Sequence, residues 1–289
     1  MQRKKYALVT GGGRGIGRAI ALRLGKEGYN VALTYRNSAA GALEVQQALR
    51  DIGSETEIIK ADMSELAQVG AAFGEYERRY NYLDLLVNNA GVTLGAPFLE
   101  TTPELFDAVV NTNFRGAFFM AQRAAKYMIK QKCEGCIVNI SSNQGGAVFV
   151  NHSVYGSAKA ALTKLTKHMA MELGRYNIRV NALSPGLVDV RDLEGASGDP
   201  RRGKWVKKYE TVIPLGSWAC PEQVAGIVVF LASDDAVYIT GEEITADGGA
   251  RLPVMMDLPA GWIPEPAPER ERSVLLKRRG KEDETREEC

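Results

Sequence analysis

The sequence predicts an α/β fold in which about seven strands form an open, doubly wound parallel sheet with helices on both faces. Three observations lead to this prediction. Short apolar runs rich in Val, Ile and Leu lack polar alternation, as expected of strands covered on both faces. Longer segments with helical spacing separate these runs, and strands that alternate with helices pair in parallel through right-handed crossovers. No internal repeat or domain boundary appears before about residue 250, so we expect a single domain.

The elements follow one another regularly. The predicted strands cover residues 6–10, 30–35, 57–61, 83–88, 136–140 and 178–183, with a weaker seventh at 243–246. The predicted helices cover residues 16–27, 39–52, 65–79, 103–130, 154–175 and 221–233. Gly28 and Gly53 lie just past helices, as C-terminal glycines do. Pro103 begins a helix after Thr102, and Ser64 is a candidate N-cap.

Composition excludes several classes of protein. The chain has 289 residues, of which 45% are hydrophobic and 25% charged, and this suits one large domain with a substantial core. The formal net charge of +1 favours neither nucleic acid nor an acidic membrane as a partner. No apolar stretch is long enough to span a bilayer, and residues 1–5 lead directly into a strand without a signal region. We predict a cytoplasmic protein with no nucleic-acid or membrane partner.

Cys133 and Cys136 form a C-x-x-C pair. This pair is either a redox site or half of a zinc site, or simply two thiols between a helix and a strand. The sequence holds no second pair and only two histidines, whereas zinc usually takes four ligands. We therefore interpret Cys133 and Cys136 as two ordinary thiols and predict no metal site.

A glycine-rich turn follows the first predicted strand, and a helix begins inside it. The segment reads Thr10-Gly11-Gly12-Gly13-Arg14-Gly15-Ile16-Gly17. Glycines let the backbone turn tightly and approach a pyrophosphate, while the helix N-terminus presents free N–H groups and a positive dipole. The strand–turn–helix context is that of a Rossmann-type dinucleotide site.

The end of the second strand bears on the choice of cofactor. An acidic residue there binds the ribose 2′-hydroxyl and disfavours a 2′-phosphate. The segment Leu33-Thr34-Tyr35-Arg36-Asn37-Ser38 has no acid. Arg36 and Arg14 are placed to flank a phosphate, unless both are simply solvated surface arginines. We expect NADP(H) to be preferred over NAD(H), with NAD still possible.

Tyr155 and Lys159 stand four residues apart in a predicted helix and therefore share one face. A free tyrosine has a pKa near ~10, and a nearby cation lowers it. Such a pair serves as general acid for carbonyl reduction or as base for alcohol oxidation. Ser142 follows a strand at the sheet edge where open α/β folds bind ligands, and its hydroxyl is placed to hold a substrate oxygen.

These motifs together resemble the short-chain dehydrogenase/reductase (SDR) family over residues 4–252. The resemblance rests on T-G-x-x-x-G-I-G at residues 10–17, Asp62, N-N-A-G at residues 88–91, Asn113, Ser142, Y-x-x-x-K at residues 155–159, Pro185-Gly186 and Asp247-Gly248-Gly249. It implies a hydride transfer between a nicotinamide and an alcohol/carbonyl pair.

The resemblance also implies residue roles. Asn113, Ser142, Tyr155 and Lys159 would form a catalytic tetrad, in which Lys159 lowers the pKa of Tyr155 and holds the nicotinamide ribose. Asn113 would hold a water that links Lys159 to solvent. The cofactor-binding set would comprise Gly11, Arg14, Gly15, Ile16, Gly17, Tyr35, Arg36, Asp62, Met63, Asn89, Ala90, Gly91, Tyr155, Lys159, Pro185, Gly186 and Val188. Val190 stands where the family usually has a threonine that contacts the cofactor carboxamide.

Substrate and assembly stay open at this level. The domain is expected to span residues 1–256, with a substrate lid at about 187–212 and a charged C-terminal extension at 257–289. Basic residues in the lid favour an anionic substrate such as a 3-oxoacyl thioester on a phosphorylated carrier, unless they form a solvated helix face. Phe149, Val150 and His152 are candidate pocket residues. Sugar, polyol and hydroxysteroid substrates remain alternatives.

Two other classes of protein were weighed against the enzyme. A non-catalytic NADP-binding regulator would not need the tetrad, and a methyltransferase would not need Tyr155 and Lys159 on one helical face. The resemblance further implies a homotetramer or homodimer with residues 103–130 and 154–175 at an interface.

Overall fold

The computed structural model describes residues 3–190 and 213–252. Most of the lid predicted at 187–212 and the whole extension at 257–289 lie outside these ranges. The described residues fall into two compact units. One contains residues 3–190 and 219–247, with the whole sheet. The other contains residues 213–218 and 248–252, where the N–H of Leu215 donates to the carbonyl of Gly248 at 3.1 Å.

Seven parallel strands form one sheet in the order β3-β2-β1-β4-β5-β6-β7. Their bounds are β1 Lys5–Val9, β2 Tyr29–Tyr35, β3 Thr56–Lys60, β4 Leu85–Asn88, β5 Gly135–Ile140, β6 Ile178–Pro185 and β7 Glu243–Ala246. The predicted doubly wound sheet is confirmed. Strand order reverses between β1 and β4, and such a switch point is where open α/β sheets bind ligands.

Among the described residues, seven α-helices accompany these strands. They are α1 Gly15–Lys26, α2 Ala39–Asp51, α3 Leu66–Arg79, α4 Pro103–Val110, α5 Ala117–Gln131, α6 Ser153–Leu173 and α7 Pro221–Ala232. Successive residues of each strand face opposite sides of the sheet. In β1, Ala7 and Val9 therefore pack in the core under α1 and α7, whereas Leu8 packs in the core under α3 and α5. Burial on both faces explains why the strands read as continuous apolar runs.

Two local predictions were wrong. Residues 103–130 are not one regular helix, because a π-helical segment, Asn111–Gly116, joins α4 to α5. Ser64 is not an N-cap either. Its hydroxyl and N–H both donate to Asp62 Oδ1, at 2.7 and 2.9 Å, so the oxygen is turned away from α3. The predicted helix start at Pro103 is confirmed, and the Thr102 side chain caps this helix by accepting from the N–H of Leu105.

Within residues 3–190 and 213–252, no helix combines the length and apolar character needed to cross a membrane.

Candidate active site

The carboxyl ends of β1, β4, β5 and β6 bring the predicted functional residues to one edge of the sheet. The glycine-rich turn follows β1, and Asn89 to Gly91 follow β4. Ser142 follows β5, and Gly186 follows β6. Because parallel strands all end at the same edge, four segments distant in sequence converge there.

Hydrogen bonds from the end of β4 hold the glycine-rich turn in place. The Thr10 hydroxyl accepts from the backbone N–H groups of Asn89 and Ala90, each at 3.0 Å. The Asn89 side-chain amide donates to the carbonyls of Thr10, at 2.9 Å, and of Gly11, at 3.2 Å. The Asn89 side chain thus holds the turn in place, and the carbonyl groups of Thr10 and Gly11 point toward it.

Two glycines of the turn meet strict steric demands. Gly11 has φ +67°, a left-handed conformation that favours glycine. A Cβ on Gly17 would lie 2.2 Å from the Gly11 carbonyl oxygen and 2.5 Å from Asn89 Nδ2. The first turn of α1 contains no acidic residue, so its dipole is not neutralised locally. This cradle fits the pyrophosphate of a dinucleotide, held by Gly11 to Gly17 with Arg14 at the N-cap.

The segment after β6 lies against this turn. A Cβ on Gly15 would come 3.5 Å from Val190 Cγ1. Val190 therefore brings an apolar methyl group where the family usually has a threonine. Val188 forms an isolated parallel bridge with Ala219. A Cβ on Gly186 would lie 2.7 Å from the Cβ of Asp247, so the Pro185-Gly186 turn requires close approach to the β7 end.

The end of β2 places Tyr35 and Arg36 beside Asp62. Arg36 Nη1 lies 3.5 Å from Asp62 Oδ2, and its side chain is 47% exposed. Burial raises the pKa of Asp62, but hydrogen bonds from Ser64 and the charge of Arg36 outweigh it and lower the pKa overall. Met63 is buried and packs in the core on the side of the sheet covered by α3 and α5.

Tyr155 and Lys159 occupy successive turns of α6, as predicted. Lys159 is only 4% exposed, and its Nζ donates to the Ile140 carbonyl at 2.8 Å. The same Nζ lies 5.8 Å from the centroid of the Tyr155 ring. A Cβ on Gly91 would lie 2.6 Å from Asn113 Oδ1, so glycine lets the Asn113 amide approach this segment closely.

Burial shifts the pKa values of both groups. Burial raises the pKa of Tyr155 above its ordinary value, and side-chain hydrogen bonding with Ser142 and Thr93 offsets only part of that rise. That Lys159 lowers the pKa of Tyr155 stays a prediction. Burial lowers the pKa of Lys159 itself to about 8. A raised pKa keeps the Tyr155 phenol protonated and by itself makes it a weaker proton donor, because a general acid works best with a pKa near the operating pH.

Asn113 lies in the π-helical segment and is 1% exposed. Its Nδ2 donates to the Val92 carbonyl at 2.8 Å, and its Oδ1 accepts from the Val92 N–H at 3.1 Å. The amide therefore holds the backbone next to Thr93, the residue that faces Tyr155. In this structure its side chain positions the segment after Gly91, and the water that the resemblance implies at Asn113 stays a prediction.

Sequence reasoning missed several supporting groups. Asn139 in β5 accepts from Asn88 Nδ2 and donates to Thr166 Oγ1, each at 2.9 Å, which links β4, β5 and α6 through buried polar atoms. Ser141 Oγ donates to the Lys159 carbonyl at 3.0 Å and fixes α6 beside β5. The only sequence signal for Asn139 and Ser141 was that both are polar residues next to Ser142. Their hydrogen-bond partners are distant in sequence and could not be read from it.

Cys133 and Cys136 are both buried free thiols. Burial raises the pKa of each, for Cys136 to about 11, which disfavours the reactive thiolate. In the part of the chain that the structure describes, no three His, Cys, Asp or Glu side chains are grouped to hold a metal ion.

A glycine cradle for a dinucleotide beside a Ser–Tyr–Lys set defines a nicotinamide-dependent oxidoreductase. A family model described as enoyl-(acyl carrier protein) reductase matches residues 11–251. The chain belongs to the short-chain dehydrogenase/reductase family, as its relatives agree.

Three relatives illustrate the match. The 3-oxoacyl-[acyl-carrier-protein] reductase FabG of Staphylococcus aureus is 38% identical over 249 residues, which cover 86% of this chain and 99% of that protein. The 3beta-hydroxysteroid dehydrogenase 1 of Eggerthella lenta is 34% identical over 248 residues, covering 86% and 94%. The crystal structure of acetoin dehydrogenase from Enterobacter cloacae superimposes with a TM-score of 0.80 at 32% identity, covering 90% of this chain and all of that one.

The arrangement supports carbonyl reduction and its reverse. The nicotinamide, when bound, supplies or accepts the hydride. The chain itself contributes a protonated phenol at Tyr155, a hydroxyl at Ser142 and a buried amine at Lys159. Groups of these kinds can orient a carbonyl oxygen and exchange one proton with it.

Proposed function

We propose that this protein is an NADP(H)-dependent reductase of 3-oxoacyl thioesters, which converts the keto group to a secondary alcohol. The observation that carries the proposal is the meeting of Tyr155, Ser142 and Lys159 at the carboxyl edge of the sheet, where Tyr155 hydrogen-bonds with Ser142 and Lys159 Nζ lies 5.8 Å from the Tyr155 ring. A phenol beside a hydroxyl and a cation can pass a proton to the oxygen of a ketone as it is reduced. The likeness to FabG over 86% of the chain supports the thioester as the substrate.

In this proposal the tetrad divides the work. Tyr155 donates the proton, and Ser142 holds the carbonyl oxygen in line with it. Lys159 holds the nicotinamide ribose from its buried position. Asn113 positions the segment that follows Gly91, and the remaining cofactor-binding residues hold the dinucleotide along the sheet edge.

The preference for NADP(H) rests on Arg36. Arg36 directly follows β2, and the segment from Leu33 to Ser38 contains no acidic residue. About half of the Arg36 side chain is open to solvent. Its contact with Asp62 at 3.5 Å is long for an ion pair, so a 2′-phosphate would compete well for the guanidinium. Arg36→Glu should raise the KM for NADPH at least about ten-fold and leave that for NADH nearly unchanged. Arg50→Glu, an exposed change on α2, is the matched control.

The test is nicotinamide oxidation with a panel of ketones: an acetoacetyl thioester, a ketosteroid, a ketose and a diketone. Tyr155→Phe should lose about a hundred- to ten-thousand-fold in kcat, while Tyr238→Phe, a fully exposed position, should be unaffected. Cofactor binding without turnover of any substrate would instead favour the regulator.

A hydroxysteroid dehydrogenase is the second candidate, and the relative from Eggerthella lenta favours it. The two candidates differ in product, since ketosteroid turnover above that of the thioester would select the second. Sugar and polyol substrates are tested by the same panel.

Assembly and location complete the proposal. A homotetramer or homodimer would cover exposed apolar side chains on α4 and α6, such as Phe106 (50% exposed) and Met171 (84%). Met171→Glu should then lower the mass measured by light scattering.

We propose that the protein works in the cytoplasm, which cell fractionation tests. A domain over residues 1–256, with a lid at 187–212, predicts that removing residues 257–289 leaves folding and turnover intact.

A further inference from the structure

We propose that Thr93 is a positioning residue for the reaction, and that its hydroxyl is a second partner of the Tyr155 phenol besides Ser142. Thr93 lies in the segment that follows β4, between the cofactor-binding residues and the start of α4. The inference rests on the proposed function in one respect, because it takes Tyr155 as the group that exchanges a proton with the substrate. It depends on how this segment is fixed beside α6.

The first fixed point of the segment is Val92. Its N–H donates to Asn113 Oδ1 at 3.1 Å, and its carbonyl accepts from Asn113 Nδ2 at 2.8 Å. Asn113 is itself 1% exposed, so this amide is held within the fold. The two hydrogen bonds fix the peptide groups on both sides of Val92. The backbone that carries Thr93 therefore enters the site in a defined direction.

The second fixed point is Gly95. A Cβ on Gly95 would collide with the carbonyl oxygen of Asn151 and would lie 2.8 Å from His152 Cδ2. His152 is the N-cap of α6, and its ring meets the Tyr155 ring edge to face, with centroids 6.2 Å apart. Two residues after Thr93, the chain thus packs against the beginning of the helix that carries the phenol. Glycine permits this close approach.

Thr93 lies between these two points and faces the phenol. Its side chain is exposed, so the hydroxyl is not consumed in the core. It hydrogen-bonds with Tyr155, as Ser142 does, and each of these contacts lowers the pKa of Tyr155 against the larger effect of burial. Two hydroxyl groups, one from the end of β4 and one from the end of β5, therefore serve the same phenol oxygen.

The two hydroxyl groups have different duties in the reaction. When a ketone is reduced, the phenol of Tyr155 gives its proton to the substrate oxygen and becomes a phenolate, and oxidation of the alcohol reverses this transfer. Ser142 is occupied by the substrate oxygen in the proposed function. Thr93 has no such duty, and its O–H is free to donate to the phenolate. A hydrogen bond to the charged form favours that form, so Thr93 acts on the reaction through Tyr155.

The test removes the hydroxyl and then restores it. Thr93→Val keeps the branched shape of the side chain without the O–H group, whereas Thr93→Ser keeps the O–H group. Thr101→Val is the matched control, because it removes from the same loop a hydroxyl that donates to the Pro97 carbonyl at 3.2 Å. Thermal unfolding and NADPH binding verify that each variant is folded.

The readout is the pH profile of kcat for oxidation of a 3-hydroxyacyl thioester with NADP+. Oxidation requires the phenolate, so kcat rises with pH through the apparent pKa of Tyr155. Thr93→Val should raise that apparent pKa by about half to one unit. Below it, kcat should fall about three- to ten-fold, and at high pH it should return to the wild-type value. Thr93→Ser should restore the profile, and Thr101→Val should match the wild type.

A double-mutant cycle separates action through the phenol from a general effect on the site. In the Tyr155→Phe background, Thr93→Val should cause no further loss of kcat, because the group on which the hydroxyl acts is already absent. A residue that only shapes the loop would cause the same loss in both backgrounds.

Three outcomes would overturn the inference. The first is a pH profile that is unchanged in Thr93→Val. The second is a loss of kcat that is equal at every pH, and the third is a loss that persists in the Tyr155→Phe background. Failure of the proposed function is distinct, because the wild type would then not turn over the thioester. The Thr93 variants would in that case be compared on the ketone that the panel selects, and a wild type that reduces no ketone would reject the role of Tyr155 itself.

Discussion

Replacing Lys159 with methionine should stabilise the fold at neutral pH while it abolishes turnover. The ammonium group is 4% exposed, and burial lowers its pKa from 10.5 to about 8. One pKa unit corresponds to about 1.36 kcal/mol, so keeping this charge inside the folded protein costs about 3 kcal/mol. Methionine has a similar length and no charge, and it fills irregular space well.

The hydrogen bond to the Ile140 carbonyl opposes this gain. Its loss costs about 1.5 kcal/mol for a charged donor, which leaves Lys159→Met more stable by about 1.5 kcal/mol. For a domain of this size that difference raises Tm by roughly 3–6 °C. The exposed Lys164→Met, on the same helix, is the matched control and should leave Tm nearly unchanged.

The pH dependence separates this explanation from simple repacking. An unfolded lysine binds its proton below about pH 10.5, whereas folded Lys159 binds one only below about pH 8. As pH falls from 10.5 to 8 the unfolded state therefore gains protons that the folded state does not, and wild-type stability falls. The Tm advantage of Lys159→Met should be largest below pH 8 and should shrink toward pH 10.5. A variant that is less stable than the wild type at neutral pH, or an advantage that does not vary with pH, would refute the reasoning.

Three further substitutions test the site. Gly17→Ala should weaken NADPH binding and lower Tm, because its Cβ would lie 2.2 Å from a backbone oxygen; Gly74→Ala, with nothing closer than 3.9 Å, should be neutral or stabilising by up to about 1 kcal/mol. Asn113→Ala frees the backbone of Val92 and should lower kcat in steady-state assays more than it raises the KM for NADPH; the opposite pattern would place Asn113 in cofactor binding. Asn139→Leu removes two buried hydrogen bonds, while Asn88 Nδ2 keeps the Ala117 carbonyl and Thr166 Oγ1 keeps the Leu162 carbonyl; it should cost about 1–3 kcal/mol in denaturant unfolding, and no loss would mean that the Asn139 amide adds nothing to stability.

The strands and the cofactor turn could be predicted because their signals are local. A run such as residues 178–183 is apolar throughout since both faces are covered, and that pattern needs no knowledge of its neighbours. The turn at Gly11 to Gly17 combines a left-handed residue and a close approach, and only glycine satisfies both demands. Tyr155 and Lys159 share a helical face for the same local reason.

The supporting groups could not be predicted, because they depend on contacts between distant segments. Asn113 meets Val92 only through the π-helical segment, which no periodicity in residues 103–130 announces. The pKa of Tyr155 also depends on burial and on hydrogen bonding with Ser142 and Thr93, whose approach is a tertiary contact. Side-chain direction and burial decide these properties, and sequence spacing alone contains neither.

The π-helical segment Asn111–Gly116 shows a conflict between folding and chemistry within a single helical turn. Such a turn holds one residue more than an α-helix needs and leaves its hydrogen bonds poorer. A chain shortened by one residue here would join α4 to α5 with regular bonds and would keep both helices in phase with the sheet. It would also carry Asn113 away from Val92. A deletion of one residue here should therefore cost turnover more than it costs the stability of the fold.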